Sequence, residues 1–171
     1  YMNSVVQCLS NIGQVRNLFL EQAHCDDLSR PSETWGEVAV AFSAVLRALW
    51  EECQDQPLGP SEMHRVVHCR DPMYCDTRPH DAHEFYVQLM DWLHQDNQRN
   101  SISFVTETFH GQWQSNINCT ACGYVSVSDQ TFMGFQVELP DGDDRCSLTD
   151  RLSQLFAPEP LPGFICAACD D

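Results

Sequence analysis

Lysine is absent from all 171 residues, and every one of the nine basic side chains is an arginine. Because lysine is ordinarily among the commonest residues, two explanations stand. One is a drift in composition. The other is a chain kept free of internal acceptors for lysine modification because its chemistry concerns lysine conjugates. Also lacking is any run near the roughly 18 apolar residues of a membrane-spanning helix, and no basic-then-apolar leader opens the chain. No membrane partner and no export signal are therefore expected, and the abrupt start at Tyr1 reads as that of a fragment. Basic charge is scarce, with 25 Asp and Glu giving a formal net charge of −16. Such a field repels nucleic acid and anionic lipid and attracts basic partners, so nucleic acid is not an expected ligand. Internal repeats and low-complexity tracts are missing too.

What is present is ordinary globular usage, 43% apolar and 20% charged, enough for one good core or two small ones. Ten cysteines would suit a secreted disulfide scaffold. The spacing of four of them, with no leader, favours reduced thiols and a cytosolic or nuclear location. Those four form two clips, Cys119-Thr120-Ala121-Cys122 and Cys166-Ala167-Ala168-Cys169. A two-residue gap lets both sulfurs of a clip face one point, and two clips supply the four thiolates of a tetrahedral zinc site. The long spacer between Cys122 and Cys166 makes such a zinc a staple between distant hairpins rather than the centre of one small finger. The alternative is two unrelated clips, one of them a redox dithiol, although that chemistry normally needs a single clip beside a βαβ pattern. Cys8, Cys25, Cys53, Cys69, Cys75 and Cys146 are expected to be mostly buried or inert.

Along the chain, Val5, Val6, Leu9 and Ile12 predict a short helix capped by Asn3 or Ser4, with a second helix near Val15 to Gln22. From Thr34 to about Glu52, Trp35, Val38, Ala39, Phe42, Val45, Leu46, Leu49 and Trp50 make an apolar stripe at helical spacing, with Thr34 and Glu37 as a capping box. Another helix is predicted from Ser61 to His68, where His64 and His68 share a face but have no third ligand nearby for a metal. Pro79-His80-Asp81-Ala82-His83-Glu84-Phe85 opens a helix with Phe85, Leu89, Trp92 and Leu93 inward, Asp81 at the N-cap and Glu84 three residues on. His80 and His83 read as polar surface residues, since neither has an identifiable nucleophile partner.

After Asn100 the period changes to two, in Val105, Glu107 and Phe109 and again in Trp113, Ser115 and Ile117. Cys119 to Gly123 is a hairpin tip, and Val125, Val127, Met133, Phe135, Val137 and Leu139 read as half-buried strand positions. An acidic turn follows at Pro140 to Asp144. Ser147 then caps a helix carrying Leu148, Leu152, Leu155 and Phe156, and a proline-rich stretch from Ala157 to Gly163 leads to the second clip.

YMNSVVQCL at the start, HDAHEF opening a helix, FHGQWQSNINCTAC and the distant CAAC, in that order, resemble the ubiquitin-specific protease family over essentially the whole chain. The resemblance implies an α+β, papain-like cysteine protease fold. Residues 1–100 would form a helical thumb and residues 101–171 the β-rich, zinc-binding fingers, with the palm mostly missing. It implies a thiol-dependent deubiquitinase that cleaves after the terminal glycine of ubiquitin or a ubiquitin-like modifier, with a thiolate activated by histidine and no metal in the chemistry. By the family pattern the nucleophilic cysteine stands immediately before Tyr1, and the histidine and its Asp or Asn partner lie beyond Asp171. This segment alone is then expected to be inactive. Asp81 and Glu84 occupy the acidic positions that pair with the arginine-bearing tail of the modifier, although both could serve only as helix caps. Pro79 and His80 depart from the usual pair of glutamines. A non-catalytic module that binds ubiquitin or scaffolds partners is the alternative function, because a degenerate nucleophile box would leave these residues unchanged.

Overall fold

The structure, a computed structural model, describes residues 1–21, 35–51, 59–76, 78–98, 102–134, 136–138 and 145–169. They build a mixed α+β chain that divides into two compact units, Tyr1–Phe109 and His110–Asp171.

The first unit is helical: α1 Met2–Ser10, α2 Gly13–Leu20, α3 Glu37–Trp50, α4 Ser61–Arg70, α5 Ala82–Asn97 and α6 Phe104–Phe109, with a 3₁₀ turn at Pro72–Tyr74. Its core draws one stripe from each helix: Val5, Val6 and Leu9, Val15 and Phe19, Val38, Phe42 and Leu46, Met63 and Val67, Phe85, Leu89 and Leu93, and Val105. Spacings of three and four residues put each set on one face, and burying those faces together supplies the hydrophobic stabilisation that short helices lack alone. Phe19 sits at the centre, edge-on to Phe42 at 4.9 Å and to Phe104 at 5.4 Å. Arg70 of α4 reaches Glu37 of α3 at 2.6 Å.

Several expectations change here. The N-cap of α1 is Tyr1, without a side-chain cap, and Asn3 and Ser4 lie inside the first turn. The Tyr1 carbonyl accepts from Val5 N–H at 3.2 Å and starts the helical ladder two or three residues earlier than a side-chain cap at Asn3 or Ser4 would. Helix α3 begins at Glu37 behind Gly36, whose φ of 80° is left-handed; Thr34 lies outside the described residues. Trp35, 72% exposed, is not core, and Leu49 and Trp50 are exposed as well. The Trp50 face instead carries the Arg16 guanidinium, 4.5 Å from the ring centre. Val105, Glu107 and Phe109 belong to α6, not to a strand. Burial of Val105 and a cap at Ser103, whose Oγ accepts from Val105 N–H at 3.2 Å, override the alternation of a six-residue run. Since α6 packs on α5 and α2, the first unit extends past Asn100.

The second unit holds an antiparallel hairpin, β1 Gly111–Asn118 and β2 Val125–Phe132, in a register that runs from Gly111↔Phe132 to Asn118↔Val125. The Phe132 ring lies against Gly111 so closely that a Cβ there would overlap it. Val125 and Val127 are exposed rather than half-buried, and the described residues among Met133–Glu138 form no third strand. A strand needs a partner ladder to persist, and among the described residues that run has none. Phe135 and Leu139 lie outside them. Helix α7, Leu148–Leu155, starts where Ser147 Oγ accepts from Thr149 N–H at 3.2 Å, but none of its residues is buried. No helix among the described residues is long and apolar enough to cross a membrane.

Candidate metal centre and acidic helix terminus

The clip at Cys119 follows directly from the hairpin. Beyond the Asn118↔Val125 pair the chain reverses through Thr120 to Gly123, and Gly123 takes a φ of +75°. Only a residue without Cβ adopts that conformation freely. The reversal closes with Cys119 N–H donating to Tyr124 O at 2.8 Å and Gly123 N–H to Cys119 O at 2.9 Å. Backbone N–H groups of Cys122 and Ala121 thereby point at the Cys119 sulfur and pull its pKa down to about 6. The second clip is a matching turn, with Cys169 N–H donating to Cys166 O at 3.1 Å.

The clips meet in crossed register. Cys119 Sγ lies 3.7 Å from Cys169 Sγ, and Cys122 Sγ lies 3.7 Å from Cys166 Sγ. All four sulfurs fall within 4.8 Å of one another. Four ligands placed about 2.3 Å from a common centre at tetrahedral angles lie roughly 3.8 Å apart, so the cluster fits a Cys₄ zinc and is too open for disulfides. Crowded thiols repel a second negative charge, and without a cation the neighbouring sulfurs push Cys169 up to about 12. A divalent cation reverses that effect, because it binds thiolates rather than thiols. Cys119, Cys122, Cys166 and Cys169 thus form a structural zinc site. It holds the hairpin tip to the segment after α7. His64 and His68, ring centres 5.9 Å apart, gain no third ligand, and the sulfur cluster is the one such group among the described residues. Cys8, Cys69, Cys75 and Cys146 are exposed rather than buried; Cys8 and Cys69 lie on the outward faces of α1 and α4, and Cys75 and Cys146 lie outside any helix or strand. Cys25 and Cys53 lie outside the described residues.

Asp81 stands at the N-cap of α5, where its Oδ1 accepts from His83 N–H at 2.6 Å and Glu84 N–H at 3.2 Å. Those two N–H groups, Glu84's foremost, hold the Asp81 carboxyl below its usual range. Asp81 Oδ2 and the whole Glu84 carboxylate make no hydrogen bond among the described residues, and both side chains are exposed. One end of α5 therefore presents two anionic groups with acceptor capacity to spare. The capping and recognition readings both survive for Asp81, whereas Glu84 does no capping at all.

Sequence reasoning missed two constellations. Asp96 of α5, wholly buried, accepts from Gly36 N–H and Ala39 N–H at the start of α3. A charged residue on the inward side of an amphipathic pattern was the signal available. Next to the start of α1, His80 Nε2 lies 3.2 Å from Asp76 Oδ1, and its side chain is only 11% exposed. It is not the surface residue expected. The four-residue spacing from Asp76 to His80 was visible, but it falls in a loop, where spacing does not fix geometry.

The ubiquitin carboxyl-terminal hydrolase family profile matches residues 1–159. The chain belongs to this family of cysteine hydrolases. Among known proteins it is similar to ubiquitin carboxyl-terminal hydrolase 19 of Rattus norvegicus, 28% identical over 82% of this chain and 13% of that protein. It is also similar to ubiquitin carboxyl-terminal hydrolase 2 of Bos taurus, 26% identical over 93% of this chain and 31% of that protein. A third relative is ubiquitin carboxyl-terminal hydrolase Usp2 of Drosophila melanogaster, 27% identical over 99% of this chain and 21% of that protein. The chain spans less than a third of the length of each of these relatives.

Proposed function

We propose that this chain is the helical thumb and the zinc-stapled fingers of a thiol-dependent deubiquitinase with a papain-like core. Its reaction is cleavage of the bond after the C-terminal glycine of ubiquitin or a ubiquitin-like modifier. The observation that carries the reading is the start of α1: Tyr1 is its N-cap, and its own side chain makes no cap bond to the first amides. A residue placed just ahead of Tyr1 would stand at the positive end of that helix, where unclaimed N–H groups stabilise a thiolate and lower its pKa. On this reading the nucleophilic cysteine would stand there, and its histidine and Asp or Asn partner would lie in chain beyond Asp171. Asp81 and Glu84 would receive the arginines of the modifier's tail, as charge-assisted pairs steered by the acidic surface. The exposed thiols and the cysteine metal site suit a reducing compartment, the cytosol or the nucleus.

The test is a ubiquitin probe with a thiol-reactive terminus, applied to the full-length protein. A single adduct at the residue preceding Tyr1, abolished by its replacement with alanine, is the expected result. No adduct, with ubiquitin binding retained, would leave a binding module instead of an enzyme.

A further inference from the structure

Tyr1 is held on one side by a cage of rings. It stacks on Tyr74 at 5.7 Å and meets Phe85 edge-on at 5.2 Å and His80 edge-on at 5.0 Å. Its other side, with Met2 and Asn3, borders an open cleft of about 450 Å³. Phe85 and Tyr74 are fixed by burial, but His80 projects from a loop and is fixed by Asp76. Asp76 is in turn held by its own loop, since Oδ1 accepts from Arg78 N–H at 3.0 Å and Oδ2 pairs with Arg78 Nε at 2.5 Å. A carboxylate bound in this way accepts from Nε2–H, which orients the imidazole ring against Tyr1.

We propose that Asp76 and His80 are positioning residues for the nucleophile. Their pair sets the Tyr1 ring and, through it, the first turn of α1, from which the residue ahead of Tyr1 extends. The inference rests on the thiol-hydrolase reading above. Tyr1 provides the mechanical link: its carbonyl accepts the first hydrogen bond of α1, from Val5, so a displaced Tyr1 ring tilts the helix terminus and any thiol attached to it. Misplacement of a nucleophile lowers turnover rather than substrate affinity. Alanine at position 80 removes both the ring that meets Tyr1 and the donor that meets Asp76.

In the full-length protein, with a ubiquitin-linked fluorophore as substrate, His80→Ala is expected to lower kcat about tenfold and leave KM within about twofold. The pH profile of iodoacetamide alkylation of the nucleophile should shift with it, which a merely structural role at unchanged Tm would not produce. Because His80 acts through Tyr1, His80→Ala added to Tyr1→Leu should cost nothing more than Tyr1→Leu alone. Unchanged kcat and alkylation in His80→Ala, or additive losses in the double variant, would overturn the inference. Should His80→Ala fold poorly, Asp76→Asn, which keeps the side-chain shape, should lower kcat in the same direction, and an unaltered kcat there also overturns it. If the unmutated protein hydrolyses nothing, the proposed function falls first. Hydrogen exchange at the Met2 to Val5 amides then still reads the tether, and exchange unaltered by His80→Ala removes it as well.

Discussion

The carboxylate of Asp96, in the last turn of α5, accepts from Gly36 N–H at 3.1 Å and Ala39 N–H at 3.0 Å, 60 and 57 positions earlier in the chain. One helix thus caps another from inside the core. The turn it ties down is unusual, with Trp35 at φ +54° directly before Gly36 at φ +80°, a conformation that a non-glycine residue holds only when its surroundings impose it. Asp96→Ala leaves two buried N–H groups without acceptors and is expected to destabilise the first unit by roughly 2–5 kcal/mol. Asp96→Asn, which keeps one acceptor, should cost less. Urea unfolding of both variants measures the difference, and a smaller loss for alanine than for asparagine would contradict the capping role.

One zinc per chain is expected from metal analysis of protein purified without added metal, and none in Cys119→Ser/Cys169→Ser. Chelation should collapse the resonance dispersion of the second unit while the helical signal of the first persists, because the four ligands all lie beyond Phe109.

Acidification should release this metal. The Cys119 pKa is depressed to about 6 by backbone N–H groups, so its thiolate persists above that value and is lost as the pH falls through it. Protons and zinc compete for the same sulfurs. Bound zinc holds the thiolates against protonation, so zinc retained at about pH 6 and released only at a pH well below the metal-free Cys119 value, followed with a chromogenic chelator, is the expected course. Metal retained undiminished at pH 4 would refute it.

Asp81→Asn preserves an N-cap acceptor while removing charge, and Glu84→Gln removes charge from a group that caps nothing. Each should weaken ubiquitin binding roughly tenfold at low salt, with the loss shrinking as salt rises, while Tm changes little. Calorimetry against ubiquitin decides, and unaltered affinity in the double variant would leave Asp81 a cap alone. The cap itself has a pH signature: with its folded pKa depressed, Asp81 stabilises fully above the ordinary aspartate value of about 4. That contribution disappears as the pH falls through the lower folded value.

Gly111→Ala should lower the Tm of the second unit, since the added Cβ would overlap the Phe132 ring. Joining it with Phe132→Ala should recover part of the loss, because the clash disappears although the Trp113–Phe132 contact at 5.6 Å goes with it. A double variant no better than the sum of the singles would show that the ring does not set the requirement for glycine.

Local pattern was enough wherever one element settles its own chemistry. The stripes of α5 and α3 announced Phe85, Leu89, Phe42 and Leu46 as core, Asp81 and Ser147 announced helix starts, and the two clips announced a metal site, because side chains two to four positions apart share a face or a point whatever surrounds them. The order of the boxes likewise carried the family. Tertiary structure decided what depends on partners far along the chain. Whether Val105 sits in a helix or a strand was settled by burial against α5 and α2, and whether Trp35 is core by a turn that Asp96 holds from another helix. The crossed pairing of Cys119 with Cys169 and of Cys122 with Cys166 depends on how two distant turns meet. His80 became a largely covered partner of Asp76 and Tyr1 only through loop closure, and a loop's path is set by the surfaces it packs against rather than by any period in its sequence.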